Sequence, residues 1–334
     1  MKGHDRWMRA VVIESYGGPD VLVIRELPVR ELGPREVLVD VVSSGLNRAD
    51  LLQRMGLYPG PNMEYEIPGL EFAGRVAEVG ENVSIWSSGD EVMAITGGAA
   101  HAEKVVIDSD QLMRVPDGMD LTIAGALPEA FITAWDALVF QGGLRPRSTI
   151  LIHAGASGVG TAAIQLGNIL GSDVLVTASG SKCSACLQLG ASLAVDYRSR
   201  DWLPEVKNYV GERGVDLVLD MVGGEYVDRN LDVLTVGGTI VQVGVMGGRT
   251  TEIDLGKVLS KRARIVGTTL RSRSLEEKAK LSQAFANEIL PYFEDGLLQV
   301  VIGKRFDLDE ISEAHAYMAT NENIGKIGLD VSSG

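Results

Sequence analysis

One stretch constrains this chain more than any other. From Ile150 to Gly160 it reads ILIHAGASGVG, a β-branched run that passes into glycines and then into a helical pattern. Ile150, Leu151 and Ile152 have the look of a buried strand, and Gly155, Gly158 and Gly160 let the backbone turn tightly and approach a ligand closely. A helix beginning near Gly158 would direct its free N–H groups and the positive end of its dipole at whatever occupies the turn, which suits the pyrophosphate of a dinucleotide. A glycine triplet alone is equally compatible with an ordinary tight turn, so the rest of the chain has to decide.

From Thr149 onward, strand and helix patterns alternate. Strands are expected at 150–153, 174–177, 193–196, 215–220, 239–244 and 265–268. Alternation at that interval requires right-handed crossovers and builds a doubly wound parallel sheet, with the nucleotide at the carboxyl ends of the strands. Before it, from Met8 to about Val115, short β runs such as MRAVVIE, EVLVDVVSSG and EFAGRVAEVG are broken by Gly and Pro, the pattern of a mostly antiparallel, barrel-like domain. Helical spacing interrupts it at LNRADLLQRM, followed by a Pro- and Gly-rich loop with Tyr58 and Tyr65 that reads as a pocket rim. Leu121 to Gly143 reads as one helical pattern, and a second long one follows Ser274. The closing IGKIGLDV returns to strand, so the chain is expected to rejoin its first domain: 1–130 with 290–334 as one β-rich unit, 131–289 as the nucleotide unit.

Composition narrows the partners. A formal charge of −14 argues against nucleic acid or an anionic membrane surface. No run of about 18 apolar residues occurs, and MKGHDRWMRAVV lacks the features of a signal peptide, so a cytoplasmic protein is the expectation. Cys183 and Cys186, the two cysteines, are spaced C-x-x-C but lie in a helical pattern and read as incidental helix residues. His153 reads as a hydrogen-bonded core residue, and His101, His153 and His315 have no metal-ligand spacing. The charged stretch from Leu275 to Lys280 reads as a solvated helix face.

The second strand of the nucleotide unit, DVLVTASGSK, ends without the Asp or Glu that would accept hydrogen bonds from ribose hydroxyls. It runs instead into Ser179 and Lys182, which suit a 2′-phosphate, so NADPH is the expected cofactor.

These residues carry a resemblance. GLNRADLLQR, IPGLEFAGRVAEVGENV, AGASGVGTAAIQLG, GTTLRSRS, ILPYFEDG and EAHAYMATNENIGKIGLDV occur in this order from Met8 to about Val331. The chain resembles a zinc-independent medium-chain dehydrogenase/reductase of the zeta-crystallin-like quinone oxidoreductase group, most of all its stress-inducible, apoptosis-associated branch. The resemblance implies a GroES-like substrate domain, a Rossmann domain and hydride transfer from NADPH in the cleft between them. It implies that Asn47 and Tyr58 face the substrate, with Asn47 also beside the cofactor. The turn Gly155, Ala156, Ser157, Gly158, Val159 and Gly160, with Thr133, Gly244 and Val245, would hold the pyrophosphate and nicotinamide. Ser179, Lys182 and Tyr197 would grip the adenosine end, Leu270 and Arg271 would cover the cofactor, and Asn323 and Lys326 would contact it from the C-terminal end.

In the zinc alcohol dehydrogenases that this group is similar to, a cysteine stands at the place of Asn47 and a histidine at the place of Leu70. Neither residue here anchors zinc, so no metal is expected. An electron-poor acceptor such as a quinone needs little acid catalysis, and Asn47 and Tyr58 are expected to donate hydrogen bonds to its oxygen. Asn47 is also a good helix N-cap, a role compatible with the first. Two alternatives share the residues: reduction of an alkenal or enone double bond, and NADPH binding with little turnover. The resemblance also implies a homodimer, with the β-branched edge around Arg264–Thr268 the expected seam.

Overall fold

In the computed structural model, which describes residues 7–58, 60–61 and 63–332, the chain divides into two compact units. One is Met1–Ile132 with Arg271–Gly334, the other Thr133–Leu270. The reading of the first six residues as no leader, and the parts of the Tyr58 loop at Pro59 and Asn62, lie outside the described residues.

The second unit is built on a six-stranded sheet in which every pairing is parallel. Across the sheet the strands run Leu193–Asp196, Asp173–Ala178, Thr149–Ile152, Val215–Asp220, Leu234–Gln242 and Arg264–Gly267. Counted along the chain this is 3-2-1-4-5-6, the doubly wound order whose reversal point lies beside the first strand. The run at 150–152 is central and fully buried, as a strand covered by helices on both faces must be. The fifth strand starts at Leu234, earlier than the sequence pattern suggests. A register shift between Val215 and Leu217 lets it pass Gly237 and Gly238 while still pairing. Beneath the sheet, Trp202, Val206, Leu231 and Ile240 pack a core, and the His153 ring is held between Thr177 Oγ1 at 2.9 Å and Asn230 Oδ1 at 2.7 Å. His153 is thus the satisfied core histidine expected. Burial lowers its pKa.

The first unit is mainly antiparallel. Glu36–Leu46 is its spine, pairing with Glu71–Val79, with Lys104–Asp108 and, from the far end of the chain, with Lys326–Asp330. The closing strand therefore does rejoin the first sheet, where it is joined in parallel by Ile302–Asp307. A hairpin of Trp7–Ile13 and Leu22–Pro28 forms a separate two-stranded sheet.

Three expectations need correction. The helical pattern from 121 to 143 is broken into a helix at Leu121–Ala124, a second at Pro128–Trp135 and a π-helical segment at Asp136–Gln141. Ser43 Oγ bonds Leu121 O and receives Gly125 N–H, so the strand side chain takes the place of the next helical turn, and Pro128 restarts the helix. The long pattern after Ser274 is likewise two helices, Leu275–Glu288 and Leu290–Glu294, separated at Ile289, with Pro291 in the first turn of the second. The unit boundary falls at 270/271 and not at 289/290. Helix Leu275–Glu288 buries Leu281 and Phe285 in the first unit, and its Gln283 Nε2 donates to Asp110 O at 3.0 Å and Leu112 O at 2.9 Å.

Among the described residues no helix is long and apolar enough to cross a membrane. Phe72 is fully buried on the spine's neighbour strand, within the first unit's core. Phe72→Ala should therefore cost about 3–5 kcal/mol through lost transfer energy plus a cavity. Denaturant titration reads this as a lower midpoint, and an unchanged midpoint would show that the site collapses without a cavity.

Candidate functional site

In the second unit the glycine turn is as tight as its spacing suggests. A Cβ on Gly160 would lie 2.5 Å from the carbonyl oxygens of Ala154 and Gly155, and one on Gly155 would meet Val176 at 2.7 Å. Ser157 caps helix Gly158–Ile169 by accepting the Gly160 N–H at 3.0 Å. The turn at Gly155, Ala156, Ser157, Gly158, Val159 and Gly160 thus opens a twelve-residue helix whose first N–H groups are presented at the carboxyl end of the central strand. This turn, too crowded by its own protein for side chains at Gly155 and Gly160, fits a pyrophosphate.

Neighbouring carboxyl ends bring the other second-unit residues to the same edge. Ser157 Oγ reaches Met221 Sδ at 3.5 Å, and Met246 N–H donates to Met221 O at 3.3 Å, which ties the loop carrying Gly244 and Val245 to the turn. On the other side, Tyr197 N–H bonds Ala178 O at 3.2 Å, and Lys182 N–H bonds Ser179 O at 2.8 Å. Ser179, Lys182 and Tyr197 therefore converge where the second and third strands end. A carboxylate beside them, Asp196, accepts from Ser199 Oγ at 2.7 Å and Arg198 N at 3.1 Å and also faces this turn, since a Cβ on Gly180 would lie 2.5 Å from its Oδ2 and the Gly180 backbone helps hold its pKa down. Thr133 and Leu270, the first and last residues of the unit, are both buried. Cys186 is buried with its thiol pushed up to about 12, and Cys183 is also raised, so both are inert helix residues.

In the first unit the sequence-predicted residues meet around a buried ion pair. Lys326, 5% exposed, places its ammonium 2.7 Å from Oε1 of Glu71, which is 0% exposed. The same ammonium donates to Leu46 O at 2.9 Å and Asn47 Oδ1 at 2.5 Å. Asn47 Nδ2 in turn donates to Glu71 Oε1 at 3.0 Å and Gly45 O at 3.1 Å, and the other Glu71 oxygen receives Glu129 N–H at 2.8 Å. Asn47 is the N-cap of helix Arg48–Arg54, as expected, in a capping box in which its backbone N–H donates to Asp50 Oδ2 at 2.7 Å.

This geometry gives Asn47, Lys326 and Arg271 partners within the first unit. Both amide N–H groups of Asn47 are already engaged, so the amide is a spacer in the ion-pair network and not a free donor to an acceptor oxygen. All three Lys326 donors meet protein oxygens, so its role here is to hold Glu71 and Asn47. Arg271 also acts within the first unit. Its guanidinium donates to Gly97 O at 2.9 Å, Tyr58 O at 3.1 Å and Gln53 Oε1 at 2.6 Å, and lies 4.9 Å from the Tyr58 ring centroid. It pins the Tyr58 loop. Asn323 Nδ2 donates to Gly325 O at 2.8 Å, bracing the turn before the last strand.

The donors present do not suit zinc. The Asn47 oxygen is taken by an ammonium, Leu70 is a buried alkyl group, and no group of three or more His, Cys, Asp or Glu among the described residues is placed to hold a metal ion. The residues do not fit a zinc site.

Three residues of this cluster, Glu71, Glu129 and Lys278, escaped the sequence reading. Glu129 stands at the second position of helix Pro128–Trp135, and its carboxyl is pushed up to about 8 by burial first and by Glu71 second. Lys278 sits on the helix read as a solvated face. That description holds for the exposed Glu276–Lys280 pair, but Lys278 is half-buried and its pKa is lowered by burial, with Glu129 opposing the shift. The Tyr58 phenol is raised by burial, with Arg271 opposing and Glu129 adding to the rise. A Glu at the start of a helix has a routine electrostatic explanation, and nothing in its local sequence distinguishes this one.

The class defined by this fold and these sites is a dinucleotide-binding protein with a β-rich companion unit. Residues 33–141 match the alcohol dehydrogenase GroES-like domain family, and residues 189–329 match the family described as zinc-binding dehydrogenase. A quinone oxidoreductase of Pseudomonas aeruginosa is 33% identical over 96% of this chain and 99% of its own length. The structure of Escherichia coli quinone oxidoreductase complexed with NADPH superposes with a TM-score of 0.88 at 26% identity, covering 97% of this chain and 100% of that one. The CurK enoyl reductase structure gives 0.85 at 28% identity, with 97% and 99% covered. The chain belongs to the quinone oxidoreductase family of medium-chain dehydrogenases/reductases and is an oxidoreductase.

The ion pair can be probed through stability. Lys326→Met leaves Glu71 buried without its cation and should cost about 3–5 kcal/mol in denaturant unfolding, most of which Glu71→Gln in the same chain should restore. If the double variant is no better than the single, Glu71 is not the penalised group. For Glu129 the folded pKa is raised, so its stabilising contribution is complete below the unfolded value of 4.5 and is lost as pH climbs through about 8. Glu129→Gln should flatten the fall in melting temperature across that window, and an identical slope in wild type and variant would contradict the shift.

Proposed function

We propose that the protein is an NADPH-dependent quinone oxidoreductase that works without zinc. The observation that carries this reading is the pair of neighbouring features in the second unit: a glycine turn at Gly155–Gly160 that suits a pyrophosphate, and a second strand that runs into Ser179 and Lys182 and not into a carboxylate of its own. NADPH as cofactor is further supported by the family and by the NADPH-bound relative from Escherichia coli. The zinc-free part rests on the amide and alkyl side chains of Asn47 and Leu70.

NADPH, when bound, supplies the hydride. Ser179, Lys182 and Tyr197 would hold its 2′-phosphate, with Thr133, Gly244, Val245, Leu270 and Asn323 as further candidate contacts. The first unit contributes the Tyr58 phenol as a hydrogen-bond donor to the acceptor oxygen, its loop fixed by Arg271. Glu71, Lys326 and Asn47 form a preorganised polar floor. A quinone fits this equipment because its reduced form spreads charge over an aromatic ring and needs no Lewis acid. The likeness to an enoyl reductase structure supports a second reading, hydride addition to an enone carbon–carbon double bond. Mass spectrometry of the products separates the two.

A homodimer is also proposed. Strand Arg264–Gly267 is the edge of its sheet, and on the helix just before it Leu255 is 70% and Leu259 80% exposed. Edge pairing would cover both features.

Steady-state assays with a simple benzoquinone should show a kcat/KM at least about tenfold higher with NADPH than with NADH, and Lys182→Ala should erase most of that preference by removing a charge-assisted contact. Equal efficiency with both cofactors in the wild type would defeat the assignment. Light scattering should return twice the chain mass, and a monomer at micromolar concentration would defeat the dimer.

A further inference from the structure

We propose that Glu129 is the proton donor that completes reduction of the acceptor. The inference rests on the oxidoreductase reading above and adds to it the source of the second hydrogen.

Position is the first argument. Glu129 is anchored by its backbone N–H on Glu71 Oε2, at 2.8 Å, so it belongs to the same network as Asn47 and Lys326. Glu71 is sealed in the core, whereas the Glu129 residue retains accessible surface. Of the two carboxyls, Glu71 is fixed as the partner of a buried cation, whereas Glu129 joins the network through its backbone N–H and keeps its carboxyl outside that ion pair.

Electrostatics is the second. The charged and titratable groups that act on the Glu129 carboxyl come from four other elements: Glu71 from strand Glu71–Val79, Asp50 from helix Arg48–Arg54, Lys326 from the last strand and Lys278 from helix Leu275–Glu288. Tyr58 from the pinned loop also senses it. Burial and the two carboxylates outweigh the two ammonium groups, so the carboxyl stays protonated at neutral pH.

The third argument is chemical. Hydride transfer gives a quinone two electrons and one hydrogen, leaving a quinol monoanion that still lacks a proton. The O–H bond of Glu129 breaks, an O–H bond forms on the phenolate oxygen of the product, and the Glu129 carboxylate regains its proton from water. A phenolic oxygen titrates near 10, so transfer from an acid near 8 runs downhill. The competing groups of the unit are poorly suited. The Asn47 amide and Lys326 ammonium are engaged, His101 is fully buried with its pKa lowered, and the Tyr58 phenol is raised, making it a hydrogen-bond donor and not a proton source.

The test uses the full-length protein with NADPH and a series of benzoquinones whose quinols range from weakly to strongly acidic. Wild-type kcat for the weakly acidic members should decline above about pH 8. In Glu129→Gln, which keeps shape and polarity but has no proton to give, kcat for those members should fall by about 10²-fold or more and lose that decline. The loss should shrink steadily as the quinol becomes more acidic, while NADPH binding followed by fluorescence stays as in wild type. Glu129→Asp should restore part of both the rate and the pH dependence. A Glu129→Gln enzyme with wild-type rate and profile overturns the proposal, and so does a loss of equal size for every quinone, which would mark a structural role. A wild-type protein that binds NADPH but reduces neither quinones nor enones overturns the proposed function itself.

Discussion

The Glu71–Lys326 ion pair is the constraint on which the first unit depends. Its partners come from strand Glu71–Val79, early in the chain, and from the last strand, Lys326–Asp330. A fully buried carboxylate is tolerated only when its oxygens are all provided for, and here they are met by an ammonium, an amide and a backbone N–H. Each of those donors belongs to a different segment, so satisfying Glu71 also fixes the start of helix Arg48–Arg54, the start of helix Pro128–Trp135 and the register of the closing strand. The return of the chain to its first unit is therefore electrostatically necessary as well as hydrophobically favourable.

The same network sorts neighbouring groups by protonation. Glu71 carries the ion pair, and its proximity is one reason that the next carboxyl, Glu129, keeps its proton. Two carboxyls with divergent environments are a recurrent basis for dividing structural and acid–base work. The position where relatives with zinc chemistry need a soft ligand is filled by an amide that spaces an ammonium from a carboxylate. In the second unit the constraint is of another kind. Crowding by the Val176 side chain at Gly155 and by backbone carbonyls at Gly160 excludes side chains from the turn, so specificity for one dinucleotide over another passes to the residues at the ends of adjacent strands.

Much of the second unit was legible in the chain. A β-branched run followed by glycines, then strand and helix in alternation, has few physical solutions, and the observed parallel order is the common one. The three-glycine turn and the core role of His153 followed from local pattern, whereas the cap that Ser157 supplies was seen only in the structure. Boundaries were less legible. The break at Gly125–Pro128 depends on what packs against the helix, here Ser43, and helix Leu275–Glu288 joined the first unit because of buried faces whose partners are distant in sequence.

The sequence by itself determined the class of fold and the nucleotide turn, because these are properties of local residue type and spacing. Only the tertiary structure decided what Asn47, Lys326 and Arg271 do and that Glu129 and Lys278 belong with them. Hydrogen-bond engagement and desolvation depend on groups brought together from across the chain, and no local pattern encodes them.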